Sequence, residues 1–486
     1  MINDVIYDQG GAVFNVKSSE FGAQGTGLVD DAPAINAALA AAGFASGDWP
    51  QAGTTQGVVI YFPPGVYRVD TSLNCTGGQY NLVGSGAYCT VIAGNTGSAP
   101  VIDMSGASYS SVCDLMIDSL DSMPSVLDNP STLGILCSRV LGPQTEPEPP
   151  APAPDTDPPA ASLAQVNLAD VNIRLPSTFT PGEPNSGSVA VYNFATEQVN
   201  YHNVYLLADT ALVLCNVNLF NFQSPYMWLP TCQQSMTVVN VTGQSSLVST
   251  GLNALRLHGG ANANVDAFLS YQNTADPSSG TNAIYCSEQW TDLQWRGDME
   301  GFQSLLYIDN ACTDPPVQVQ VVGVDLQGYA SYTAGYSLVT LSGSSALLGG
   351  VLRISPTFTT SDSPLGQLLQ ADGIDSQVVQ NLLMYLFNSA GITCGTATQF
   401  QGNVVMSVEP LATVLPTIQI AGPNTGNVIV GTDMTSVNGM VIAGTGTSGA
   451  CPPASSAGAG AMYFDTTQGI PVWSNGTSWV NALGAT

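Results

Sequence analysis

Positive charge is almost absent from this chain. Lys17 and six arginines face 35 acidic residues across 486 positions, a formal net charge of 7 − 35 = −28. So few cations leave no basic footprint for phosphates, which excludes a nucleic-acid binder, and none for anionic lipid head groups. Long apolar runs are missing too, so neither a transmembrane helix nor membrane insertion is expected. The opening MINDVIYDQGGAVF lacks a basic n-region, and no signal peptide is expected. Histidine is nearly as scarce as lysine. With only His202 and His258, and ten cysteines that form no Cys-x-x-Cys pair, neither a metal site nor a cofactor is expected. Thiols folded in a reducing cytosol and buried in a core account for the cysteines. Helical periodicity is scarce after residue 69, which argues against an α-solenoid.

What the chain does contain is apolar and punctuated. Hydrophobic residues make up 44% of it, enough to exclude wholesale disorder, and 51 glycines and 31 prolines favour many short strands. Residues 31–42 (DAPAINAALAAA) read as the one clear helix, capped by Asp30 or Asp31, with Ile35, Ala38, Leu39 and Ala42 on one face. Residues 57–69 (GVVIYFPPGVYRV) read as strand, tight turn, strand. Beyond them the organisation is repetition. Alternating apolar segments begin near Val171, Val199, Val238, Val265, Leu293, Val319 and Leu347, at steps of 28, 39, 27, 28, 26 and 28 residues. The strings LQWRGDMEG and VQVVGVDLQG resemble each other beyond spacing. Cys89, Cys113 and Cys137, each 24 apart, would stack above one another in a coil of that period.

Strands and turns repeating at this length predict an all-β solenoid, a right-handed parallel β-helix over 21–360. Within it, 143–159 (PQTEPEPPAPAPDTDPP) must leave the coil as an extended loop. Over 361–450 the short runs TIQIAG, NVIVG and MVIAG are too short to close a rung of the earlier size. Their apolar sides predict burial against copies in other subunits. Residues 451–486 carry aromatics around Gln468-Gly469 and Asn475-Gly476 and read as a hairpin-rich tip.

Residues 14–42 (FNVKSSEFGAQGTGLVDDAPAINAALAAA) followed by 57–69 resemble the opening of the pectate-lyase-like β-helix superfamily, which includes bacteriophage tailspikes and polysaccharide-degrading enzymes. The resemblance lies in Phe21-Gly22-Ala23, Asp30-Asp31 and Phe62-Pro63-Pro64-Gly65 with Tyr67 and Arg68; Gly25-Thr26-Gly27 replaces the usual Gly-Asp-Gly. It implies that the helix caps the coil and covers an open strand edge. Residues 463–480 (YFDTTQGIPVWSNGTSWV) are similar to a segment that closes many tailspikes and tail fibres. Together these imply a tailspike: a homotrimeric virion component made in the host cytoplasm. It would attach to the phage tail or an adaptor protein through residues 1–20 and bind a host surface glycan.

Glycan cleavage on such a coil uses carboxylate pairs for hydrolysis, or a Lys, Arg, Tyr or His base for elimination. Scarce bases and strong negative charge favour hydrolysis of a neutral or weakly charged glycan. The carboxylates must then lie about 5–5.5 Å apart for retention, or about 6.5–9.5 Å for inversion. The leading candidates are Asp298 and Glu300, which share a face if Trp295-Arg296-Gly297-Asp298-Met299-Glu300 is extended. Trp290 and Trp295 could stack on a sugar, and Arg296 could hold one carboxylate ionised. Tyr201, Tyr205 and Trp228, with Tyr226 and Tyr271, could line a saccharide groove; core packing is the competing role. Asp266, Glu288, Asp292, Asp309 and Asp325 are further acids that neighbouring rungs could pair, and His202 reads as a hydrogen-bonded rung residue rather than a base. A non-enzymatic receptor-binding spike and a cellular β-helix hydrolase or lyase are the alternatives.

Overall fold

The computed structural model describes residues 13–42, 58–76, 78–107, 110–120, 127–138, 165–180, 187–194, 198–215, 238–258, 262–272, 281–287, 290–309, 319–331, 337–357, 367–372, 376–387, 391–408, 418–430, 436–437, 441–451, 453–457 and 461–481. The chain divides into two units, 1–279 and 280–486. Each unit is a stretch of right-handed parallel β-helix: a sheet of long strands and a sheet of short strands, one of each per rung, paired in parallel. The 143–159 loop lies outside the described residues.

In the first unit the helix Ala32–Ala42 buries Ile35, Ala38, Leu39 and Ala42, as its spacing predicts. The two aspartates before it divide the labour. Asp30 accepts from the Ala32 amide at 3.0 Å and from the Asp70 amide at 3.1 Å. Asp31 is buried and accepts from the Gln24 and Gly25 amides at 2.7 and 3.0 Å, tying the preceding loop to the helix. The proline turn is fixed by Tyr67, whose hydroxyl donates to the Pro63 carbonyl at 2.7 Å and whose ring meets Phe62 edge-on.

Each long strand, or pair of strands, bends once per rung, and the bend selects residue type. In the first unit Asp114, Asp170, Asn203 and Gly243 lie in one column with φ of 56°, 55°, 52° and 75°. In the second, Asp292, Gly323, Gly349, Asn381, Gly402 and Gly426 do the same, with φ between 52° and 73°. Only glycine, and less readily Asn or Asp, occupies left-handed backbone at small cost. The corner column therefore sets the phase of the rungs that carry it; the Asn262–Tyr271 rung has no such corner and pairs through a register shift between Val241 and Ser245. That phase differs from the one read by matching strings: Val199 sits beside Val166, not Val171, and Gln294 sits beside Asp325. VNIRL at 171 follows its corner whereas VNYHN at 199 precedes its own, so the match joined two different legs. The cysteines do not stack for the same reason: Cys113 is on a long strand and Cys137 on a short one.

Inside each coil apolar side chains stack rung on rung, and amides fill the polar positions. Asn403 is fully buried and accepts from the Leu382 amide at 3.0 Å. It also donates to the Val379 carbonyl at 3.0 Å, while its own amide donates to Asn427 at 2.9 Å. On the outside of the first unit Asn167, Asn200 and Asn240 form a second amide ladder, with bonds of 2.7 and 2.9 Å. Shared neutral amides satisfy one another without placing charge on consecutive rungs.

Past residue 361 the coil goes on. Gly391–Cys394, Thr398–Gln401, Val404–Val408, Ile418–Ile420 and Val428–Val430 pair in parallel with rungs of their own chain. The corner interval shrinks to 402 − 381 = 21 and 426 − 402 = 24 residues, which closes a rung with short turns. Strands too short for the earlier period thus close rungs of a smaller one. The chain then turns antiparallel over Met462–Asp465, Ile470–Ser474 and Trp479–Asn481, with Gly469 and Gly476 in left-handed turns.

Candidate functional site

Strand Leu293–Glu300 is extended and alternates as the sequence predicts: Leu293, Trp295 and Met299 point inward, and Arg296, Asp298 and Glu300 face solvent. Asp298 and Glu300 therefore stand on one outward face. Parallel pairing with Val319–Ser331 and Ser345–Thr357 builds that face sideways. Arg296, Gln327 and Arg353 form one column and Asp298, Tyr329 and Ser355 the next; Glu300 begins a third, on whose backbone Ser331 and Thr357 follow. Tyr329 is 58% exposed, a large aromatic standing beside Asp298.

Arg296 does not serve the pair. Its guanidinium lies 3.8 Å from Asp325, whose other oxygen accepts from Gln327 at 2.7 Å. Arg353 lies over the Tyr385 ring, 5.7 Å from its centroid. Among the described residues no ion pair engages Asp298 or Glu300. The face carries two exposed carboxylates, one exposed aromatic ring and two cations already committed to neighbours.

The other sequence candidates fall elsewhere. Trp295 is fully buried beneath Gly328, so it packs the core and offers no face to a sugar. Tyr201 is likewise fully buried, donates to Asn193 at 3.0 Å, and has its phenol pushed well up by burial. Both corrections have one cause: inward parity on a strand that buries one face. Tyr205 is half-buried on the outside of the first unit, in register with Asn172 and Ser246. His202 is exposed and bonded to Thr242 at 3.2 Å, a rung residue. Asp292 is a corner residue, and Asp309 accepts from the Tyr285 hydroxyl at 3.2 Å. Trp290 contributes its backbone to a strand beside Val321. Trp228, Tyr226 and Glu288 lie outside the described residues. Tyr329 is the residue that sequence reasoning missed; parity would have found it once the Gly323 corner fixed the phase.

Among the described residues no three His, Cys, Asp or Glu side chains are grouped so as to hold a metal ion. No described helix is long and apolar enough to cross a membrane.

Residues 13–124 match the sequence profile of the family described as rhamnogalacturonase A/epimerase, pectate lyase-like. The similarity to that family is confined to the N-terminal coil. This segment holds the capping helix with Asp30-Asp31, the proline turn Phe62-Pro63-Pro64-Gly65 and the first rungs. No curated protein matches the chain significantly. Solved structures similar to it include the A-module of mannuronan C-5 epimerase AlgE6 from Azotobacter vinelandii, at 15% identity and TM-score 0.36 over 86% of this chain and 99% of that one. Two tailspikes of bacteriophage CBA120 are also similar. The enzymatically active domain of tailspike protein 2 aligns at 10% identity and TM-score 0.47, over 76% of this chain and 48% of that one. Tailspike protein 3 aligns at 13% and 0.39, over 100% and 70%. Likenesses at these values carry no information on ligand or reaction.

Proposed function

We propose that the protein is a bacteriophage tailspike, a virion component that binds a host surface polysaccharide and hydrolyses it. The observation that carries the reading is the outward face of Leu293–Glu300, where Asp298 and Glu300 stand two residues apart beside the exposed Tyr329 ring. On an extended strand that separation is about 6.4–6.8 Å along the chain. That is a backbone spacing; the side-chain torsions of Asp298 and Glu300 set whether their carboxyl groups stand at the retaining separation of about 5–5.5 Å or the inverting one of about 6.5–9.5 Å. One carboxyl group protonates the leaving oxygen, the other acts as base or nucleophile, and Tyr329 supplies a face for the sugar's C–H surface.

Assembly as a homotrimer completes the reading. Of 7 + 35 = 42 charged residues only Glu409, Asp433 and Asp465 lie in the last 111 positions, although the chain carries −28 overall. In that segment Met406 and Val428 are 37% and 50% exposed on adjacent rungs. A highly charged chain associates with least repulsion through a charge-poor apolar face, and three copies multiply weak glycan contacts by avidity. Residues 1–20 would carry attachment to the tail or an adaptor protein.

One observation favours a spike that binds without cutting. Asp298 and Glu300 are both exposed on an open strand face, whereas hydrolytic chemistry is helped by a site that expels water. A single experiment separates the readings. Purified protein is incubated with host polysaccharide and the products are sized, for wild type, Asp298→Asn and Glu300→Gln. Shortening by wild type alone, with binding kept in both variants, supports hydrolysis by this pair. Binding without shortening leaves the adhesin, and shortening by all three proteins discards the pair.

A further inference from the structure

The short-strand sheet of the second unit presents a second face that the acidic pair does not use. Its strands Asn282–Cys286, Ser304–Ile308, Ser337–Leu341, Gln367–Ala371, Gly391–Cys394 and Ile418–Ile420 pair in parallel, rung on rung. Ile284, Leu306, Val339, Leu369, Ile392 and Ile418 are fully buried on the inner side. One outward residue per rung is left half-buried or exposed, and these residues fall in a single register column: Tyr285, Tyr307, Thr340, Gln370, Thr393 and Gln419. None of the six is charged, in a chain whose charges are overwhelmingly negative.

The column is ordered as well as aligned. Tyr285 and Tyr307 stack with centroids 6.1 Å apart and planes within 9° of parallel, and Tyr285 is anchored by its hydroxyl on Asp309 at 3.2 Å. With one Tyr307 face against Tyr285, the opposite face overlooks the Thr340 rung. Gln370 is held from both ends: Ser337 donates to its carbonyl oxygen at 2.9 Å, and its amide donates to both Asp372 oxygens at 3.0 and 3.1 Å. Two residues upstream on the same face, Leu305, Leu338 and Leu368 are buried, so the column runs along the margin of a covered surface.

We propose that this column is a binding strip for a neutral polysaccharide lying along the coil axis, distinct from the Asp298–Glu300 face. The proposal rests on the glycan-binding reading and adds the ligand class and a second location. The half-buried Tyr307 ring, on the side turned toward the shorter Thr340, would offer a surface for sugar C–H groups. Thr340 and Thr393 offer hydroxyls that donate or accept, and the amides of Gln370 and Gln419 do both, which matches the paired donor and acceptor character of sugar hydroxyls. The contacts repeat every rung, about 4.8 Å, so a linear polymer meets the strip repeatedly. Charge sets the class: the strip has no cation, and Asp309 and Asp372 beside it repel uronate or sulfate groups. A fixed Gln370 amide and a stacked tyrosine lose little rotamer freedom on binding.

The test uses the full chain on an array of purified bacterial surface polysaccharides, neutral and uronate-containing. The neutral polymer retained best is then followed by surface plasmon resonance for wild type, Tyr307→Leu, Thr393→Arg and Gln399→Ala. Tyr307→Leu keeps apolar bulk and removes the ring; Thr393→Arg fills the strip from the outside. Melting temperature and sedimentation mass are recorded for each. The strip predicts that Tyr307→Leu and Thr393→Arg bind about tenfold more weakly, the weight of one aromatic contact, while Gln399→Ala, exposed on the long-strand sheet, binds as wild type. Wild-type retention unchanged in both strip variants overturns the strip and leaves the tailspike reading intact. Retention of acidic polymers only overturns the ligand class. A fall in sedimentation mass for Thr393→Arg makes the strip a contact between copies of the chain and overturns the proposal. No retention of any polymer overturns the glycan-binding reading together with it.

Discussion

Asp209 is a buried carboxylate that ties several segments of the first unit together. It is 1% exposed and among the described residues no ion pair engages it, yet both oxygens are filled. Oδ2 accepts from the Thr178 and Ser188 amides at 2.7 and 2.8 Å and from the Ser188 hydroxyl at 3.2 Å; Oδ1 accepts from the Ser177 and Thr250 hydroxyls at 2.6 and 2.8 Å. Two of these donors are backbone N–H groups, which cannot reverse, and three are hydroxyls, which can. Asp209→Ala strands the two amides at about 1–3 kcal/mol each, a loss of about 2–6 kcal/mol. Asp209→Asn differs in kind. Its single carbonyl oxygen can turn to Thr178 and Ser188, and its amide can donate to hydroxyls that rotate to accept, so the loss should stay near 1 kcal/mol. Hydrogen exchange resolved at Thr178 and Ser188 reads the effect locally: protection collapses in the alanine variant and largely survives in the asparagine variant. The denaturant midpoint of the first unit should fall in the same order. Equal damage from Asn and Ala would refute the reasoning, because it would mean that charge rather than donor geometry holds the site.

Three further perturbations test other levels of the fold. Gly402→Ala forces a side chain into left-handed backbone at about 1–2 kcal/mol and sets its Cβ 2.5 Å from the Asn381 oxygen. A clear drop in melting temperature is expected, smaller for Gly402→Asn, and equal melting of glycine and alanine forms would deny the corner its role. Burial lifts the Asp118 carboxyl above the ordinary 3.8 even with Arg174 3.6 Å away. The folded state then binds the proton more readily, so this stabilisation is complete below 3.8 and is lost as pH rises through the raised value. Melting of wild type relative to Asp118→Asn should fall across that window; parallel pH curves would contradict it. If the proposed trimer forms through the apolar rung face, Val428→Lys, which adds charge there, should lower the sedimentation mass to that of a monomer, while an unchanged mass would deny that face the subunit contact.

The sequence by itself determined the kind of object this is. A coil follows from short apolar repeats near 26–28 residues, because alternation dictates which face is buried, and that information is local. The capping helix and the proline turn were legible for the same reason: Asp30, Asp31, Pro63 and Tyr67 act within a few residues or through adjacent strands. Alternation also set Asp298 and Glu300 on one face without reference to any other strand. Only the tertiary structure decided what stands next to them. Lateral neighbours depend on the phase of each rung, the phase on its left-handed corner residue where it has one, and loop insertions change the interval between corners from 21 to 56 residues (402 − 381, 170 − 114). That is why Tyr329 joins Asp298 across 31 positions, why Trp295 and Tyr201 turn into the core, and why Arg296 reaches Asp325 instead of the carboxylate pair. The tyrosine strip has the same origin: six unremarkable residues spread over 285–419 become one surface only when the rungs are stacked in register.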